Sequence, residues 1–211
     1  VRTGEYETIL DKMALAVEST KVAKESAMAE EGISEDININ IFCWRGSSLV
    51  SILQLKHTHL LERDERLERI TQAACLMRNG WEIDEYTMIA EGYCSLKPAE
   101  TKEHDLASLF AEMDSQVKEC ISFTHISLDE ILFVSLPYSV GVKKEITFDK
   151  PLWYPGIDVL RDLAYPAILR ASLKLDPPEI DREEMDRPAY FEVLARGLNE
   201  FGFEVFYRDD V

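Results

Sequence analysis

The chain has 211 residues and a formal net charge of -17, from 40 Asp and Glu against 23 Lys and Arg. That balance repels nucleic acid and anionic lipid and leaves basic or neutral protein partners open. A hydrophobic fraction of 46% beside 30% charged residues is a globular composition and excludes wholesale disorder.

Tyr6, Ile9, Leu10, Met13, Ala16, Val17 and Ala27 recur at three- and four-residue spacing, which predicts a long helix over residues 6–31, stopped by Gly32. Ile37, Ile39 and Ile41 then alternate with Asn38 and Asn40, the period of a half-buried strand. This strand continues through Cys43 and Trp44 to a turn at Arg45-Gly46-Ser47. A second strand, over 49–56, returns and completes a hairpin. Residues 61–78 form a charged amphipathic helix with Leu67, Ile70, Ala74 and Met77 inward, and Asn79-Gly80 is its expected end.

A third strand is expected over 86–94, then a polar loop from Lys97 to His104 and a helical pattern over 106–120. The most apolar strand, over 130–138, is expected at the centre of the sheet, with 144–148 paired beside it. Trp153-Tyr154-Pro155-Gly156 reads as an aromatic turn before a helix over 157–171, which Pro166 should kink or shorten. Residues 176–186 are acidic and carry Pro177-Pro178, so they are assigned as a linker between a core (1–175) and a C-terminal arm (187–211). That arm is expected to hold a helix and a strand that dock on the body or reach into a neighbouring subunit. The predicted class is α+β, with a largely antiparallel or mixed sheet flanked by helices.

Cys43, Cys75, Cys94 and Cys120 stand alone at wide, irregular spacing, the pattern of reduced thiols in a cytoplasmic protein. No basic region followed by an apolar run opens the chain, so no signal peptide is expected. The longest apolar stretch, 130–142, is interrupted by Pro137 and is too short to span a bilayer.

Phosphate loops, nucleophile elbows and dinucleotide fingerprints are absent from the sequence. His57-Thr58-His59 is the sharpest local feature. On a strand, residues two apart face one side, so both imidazoles could meet one metal ion. A third ligand would come from Glu91, Cys94, His104 or His125, and the competing reading is a surface pair at a strand end. Glu91, inside the apolar run Met88-Ile89-Ala90, is either desolvated or paired, and desolvated carboxylates serve acid-base chemistry. Gly92 beside it suggests a bulge or a close backbone approach.

His125-Ile126-Ser127 makes His125 a second acid-base candidate, although chemistry built on such units needs two copies and the chain has one. Trp153 and Tyr154 form a candidate interaction surface, because aromatics dominate binding hot spots. Glu179, Asp181, Glu183 and Glu184 form a candidate acidic contact. Cofactor and metal identity are not legible. Duplex DNA carries one charge per ~1.7 Å, so nucleic-acid mimicry would require the acidic residues to crowd one face, and a solubilising surface is the simpler reading.

The run Leu76-Met77-Arg78-Asn79-Gly80-Trp81, then Met88-Ile89-Ala90-Glu91-Gly92-Tyr93, then a Pro-containing acidic loop and a Glu130-Ile131-Leu132-Phe133-Val134 strand, resembles small phage and mobile-element proteins of no assigned activity. The likeness spans residues 66–140 and carries no functional residue across. It implies a host-takeover, counter-defence or virion-associated role. The expected function is a non-enzymatic acidic protein acting by protein-protein contact, self-association included, without direct nucleic-acid or membrane binding. The alternative is a metal-dependent hydrolase or small-ligand binder with a cleft at His57, His59 and Glu91.

Overall fold

The computed structural model describes residues 8–31, 38–95, 117–155, 164–176 and 187–207. Its first element, α1 (Ile9–Glu31), begins at a reciprocal cap. The Asp11 N–H donates to Thr8 Oγ1 and the Thr8 N–H to Asp11 Oδ2, each at 3.1 Å, which satisfies two otherwise orphaned donors. Tyr6, the predicted start, lies outside the described residues.

The expected hairpin forms from β1 (Asn40–Arg45) and β2 (Ser48–Leu55). Gly46 takes the left-handed conformation its turn requires (φ 57), and its N–H donates to both carboxylate oxygens of Asp84, at 3.1 and 2.9 Å. A register shift between Cys43 and Trp44 leaves one extra residue on β2. Ile41, Phe42, Cys43 and Trp44 are all buried, so β1 is covered on both faces rather than half-buried as its Ile–Asn alternation suggests.

The charged helix α2 runs Arg63–Trp81, with Asp64 and Glu65 in its first turn and Arg78 in its last, the order the helix dipole favours. It passes through Asn79-Gly80, the predicted stop, and ends where Glu82 turns left-handed (φ 51). Gly80 instead lets a neighbouring helix approach. β3 (Glu85–Ser95) and β4 (Val117–Ile126) pair over ten residues without a register shift. Residues 117–120 were expected to close a helix begun at 106; pairing with β3 overrides that periodicity, and 96–116 lie outside the described residues. Gly92 pairs with Cys120 in unbroken register, and nothing lies within 4 Å of where its Cβ would be. The expected bulge or close approach is therefore not found.

β5 (Ile131–Val140) pairs with β4 on one side. Its other side takes β6 (Ile146–Phe148) and β7 (Leu152–Pro155) in succession. Pro137 fits because it offers only a carbonyl, which accepts from the Asp149 N–H at 2.8 Å. The residues expected as an aromatic turn, Trp153 to Pro155, are strand β7. Among the described residues two helices follow, α3 (Ala164–Leu173) and α4 (Arg187–Glu200), and then β8 (Phe203–Tyr207). Pro166 stands in the first turn of α3, where no intrahelical donor is lost, and residues 157–163, the first part of the predicted helix, lie outside the described residues.

All strand pairs are antiparallel, in the order β6-β5-β4-β3-β1-β2-β8 with β7 also on β5. β3, not the apolar β5, is central. Strand order follows the hairpins of the chain, and β4, unrecognised in the sequence, pushes β5 outward. The sheet separates two cores. On one face α2, α3 and α4 pack Ile70, Met77, Leu169, Leu173 and Leu198 onto Ile41, Leu53, Tyr86, Ile126 and Phe203. On the other, α1, alone among the described helices, packs Met13, Ala16 and Met28 onto Phe42, Trp44, Ile89, Phe123 and Val134. The fold is α+β: among the described residues, four α-helices flank one antiparallel sheet of eight strands. No described helix is long and apolar enough to cross a membrane.

Candidate functional site

Alternation along β3 places Glu85, Thr87, Ile89 and Glu91 on the face that α1 covers. The helix meets this polar row with two buried lysines. Lys12 Nζ donates to Glu85 Oε2, and Lys24 Nζ donates to Glu91 Oε1. Twelve helical residues span about 18 Å and six strand residues about 20 Å. The two pairs therefore clamp α1 along β3, parallel to it, at both ends. The buried stripe of the helix is Lys12, Met13, Ala16, Thr20, Lys24 and Met28, whereas Leu10, on the predicted inner face, is 61% exposed. The lysines turn the helix because Glu85 and Glu91 would otherwise be buried without countercharge.

At the first end His125, on β4, is fully buried beside Glu85. The Trp44 indole N–H donates to Thr87 Oγ1 at 3.1 Å, and Thr87 Oγ1 lies 3.2 Å from His125 Nδ1. If the Thr87 hydroxyl proton points to Nδ1, the ring carries its own proton on Nε2, 3.3 Å from Glu85 Oε2. That last contact falls short of full hydrogen-bond geometry. Lys12 Nζ also sits 5.4 Å from the centroid of the Trp44 ring. Burial alone would push Glu85 up, but the His125 ring and the Lys12 ammonium hold it below the ordinary carboxylate range.

At the second end the Tyr138 hydroxyl lies between two carboxylates, within hydrogen-bond reach of Glu91 Oε1 and at 2.9 Å from Glu119 Oε2. A phenol has one proton, so it donates to one of them at a time. Burial first, and then the Glu91 charge, raise the Tyr138 phenol well above its usual value, so it stays protonated as a donor. Lys24 Nζ stacks 4.9 Å from its ring centroid. Two further bonds fasten the C-terminal half of α1: the Ile146 N–H donates to Glu25 Oε1 at 2.7 Å, and Lys144 Nζ donates to the Met28 carbonyl.

The predicted site residues thus go to different places. Glu91 and His125 lie under α1 at opposite ends of the clamp, and each is held in the network just described. His57 is exposed and left-handed (φ 53), and it caps a short 3₁₀ turn, Thr58–Leu60, that contains His59. β2 ends at Leu55, so the premise that both imidazoles share one strand face is corrected. Among the described residues no group of three His, Cys, Asp or Glu side chains is placed to hold a metal. Trp153 is 48% exposed on β7. The backbone of Tyr154 pairs with Phe133. His104, Glu179, Asp181, Glu183 and Glu184 lie outside the described residues.

Sequence reasoning missed Lys12, Lys24, Glu85, Thr87 and Tyr138. The available signal was β3 itself, since carboxylates at 85 and 91 on one strand face require cations from whatever packs there. Comparison with known protein families, with curated sequences and with solved structures finds no match to this chain.

Proposed function

We propose that this protein works by protein-protein contact, with Trp153 as an anchor and without a catalytic step of its own. The observation that carries this reading is the contrast among its tryptophans. Trp44 and Trp81 are buried, while Trp153 stands 48% exposed on the outer strand β7. An indole left half in water forgoes much of its burial free energy, and protein interfaces recover that energy. The acid-base candidates are meanwhile engaged, Glu91 with Lys24 of α1 and His125 with Thr87 and beside Glu85. An acidic surface of net charge -17 favours a basic partner and speeds its encounter. Buried cysteines outside any disulfide, Cys43 and Cys120, fit a reducing, cytoplasmic setting.

The test is purification of tagged wild-type, Trp153→Ala and His57→Ala/His59→Ala proteins from the native cell. A stoichiometric partner should be retained by wild type and the histidine variant and lost by Trp153→Ala. Re-addition of that partner should shift the emission of Trp153 to the blue. A partner held equally by all three proteins, or an activity lost only in the histidine variant, overturns the reading.

A further inference from the structure

The two edges of the sheet differ in how they are guarded. Along the β6–β7 edge the sequence places Lys143, Lys144, Lys150, Pro151 and Pro155, the residues that natural sheets use against further strand pairing. β8, at the other edge, reads Phe203-Glu204-Val205-Phe206-Tyr207, with neither Lys nor Pro, and among the described residues nothing pairs with its outer side. Phe206 is 49% exposed there. The one charge in the strand, Glu204, is matched within the chain by Lys56, Nζ to Oε2 at 3.3 Å.

The backbone gives this edge a phase. Lys56 N–H donates to the Gly202 carbonyl at 3.0 Å, so bonds to β2 fall on the even-numbered residues of β8. Phe203, Val205 and Tyr207 therefore turn their N–H and C=O groups outward. A strand added there must bond to odd-numbered residues.

We propose that two copies of this chain join through β8, antiparallel about a two-fold axis at Phe206, into one continuous sheet. At this register Val205 bonds with the partner's Tyr207, odd to odd as the phase requires. Phe206 then meets the partner's Phe206 as a non-hydrogen-bonded pair, the closer of the two kinds, which buries both half-exposed rings. Glu204 keeps its own cation, Lys56, so this strand brings no unmatched charge to the seam. A two-fold contact requires self-complementarity, which the pair of Phe206 rings supplies. This interface is at the opposite edge from Trp153 and does not rest on the reading above.

The experiment is sedimentation of the full chain at about 0.15 M salt, where a Debye length of about 8 Å confines the repulsion between two acidic molecules. Wild type and Trp153→Ala should sediment as dimers at high concentration, and Phe206→Glu should halve the mass. Phe206→Cys provides the geometric check. Cα atoms about 4.5 Å apart in such a pair are within disulfide reach, so mild oxidation should yield a covalent dimer that wild type does not form. A wild-type monomer at every concentration, a dimer indifferent to Phe206→Glu, or a Phe206→Cys chain that does not cross-link overturns the proposal.

Discussion

At Glu85 opposing effects meet on one carboxyl. Burial disfavours its charge, the His125 ring and Lys12 favour it, and the sum lies below the ordinary value. The unfolded chain therefore binds a proton on Glu85 more readily than the folded one. The stability this provides is fully present above the unfolded carboxyl value and is lost as pH falls through the lower folded value. Glu85→Gln keeps the shape but leaves the buried Lys12 ammonium without its anion, a change that costs about 3 kcal/mol at neutral pH. In urea melts between pH 7 and pH 3 the variant should start lower and lose less on acidification than wild type. Parallel pH curves would place the acid sensitivity elsewhere. Glu91 was visible in the sequence because a carboxylate stood out in an apolar strand, and His125 because of its His-x-Ser setting. Lys12 and Lys24 were not, because a lysine in a charged helix looks solvated until its neighbour on the sheet is known.

Among the elements, α2 and α4 owe their contact to Gly80. A Cβ at that position would lie 2.5 Å from Leu194 Cδ1 and 3.2 Å from its Cγ, so the leucine would have to move. Gly80→Ala gains about 1 kcal/mol of helix propensity but crowds a buried side chain, at a cost of about 1–3 kcal/mol. Net destabilisation is expected in wild type. In a Leu194→Ala background the clash is gone and the same substitution should stabilise. A double-mutant cycle by denaturant melts reads that reversal directly, and additive effects would mean that the helices do not touch here. The hairpin, α2 and the C-terminal helix and strand were legible because their periodicity agrees with their burial. β4 was not, since a helical pattern runs into residues that the pairing with β3 claims. The end of α2 was misplaced because glycine serves two purposes, and only the fold distinguishes a stop from a close approach.

For the molecule as a whole, 17 excess negative charges oppose compaction. Salt screens such surface repulsion, with a Debye length that falls from about 30 Å at 0.01 M to about 8 Å at 0.15 M. The pairs Lys12–Glu85 and Lys24–Glu91 are sheltered beneath α1 and are screened far less. Thermal stability should therefore rise with sodium chloride over this range. A fall would show that exposed ion pairs such as Lys118–Asp149 outweigh the net charge.

The position of β8 beside β2 also sets an order of events during synthesis. β2 is made before β8 and pairs with β1, but its other edge waits for residues 203–207. Until β8 leaves the ribosome, Leu49, Val50, Leu53 and Leu55 border an open strand edge, the kind of surface that recruits chaperones or other nascent chains. A stalled or clipped chain ending before residue 203 keeps that edge bare, so the cell would meet the fragment as a client for quality control.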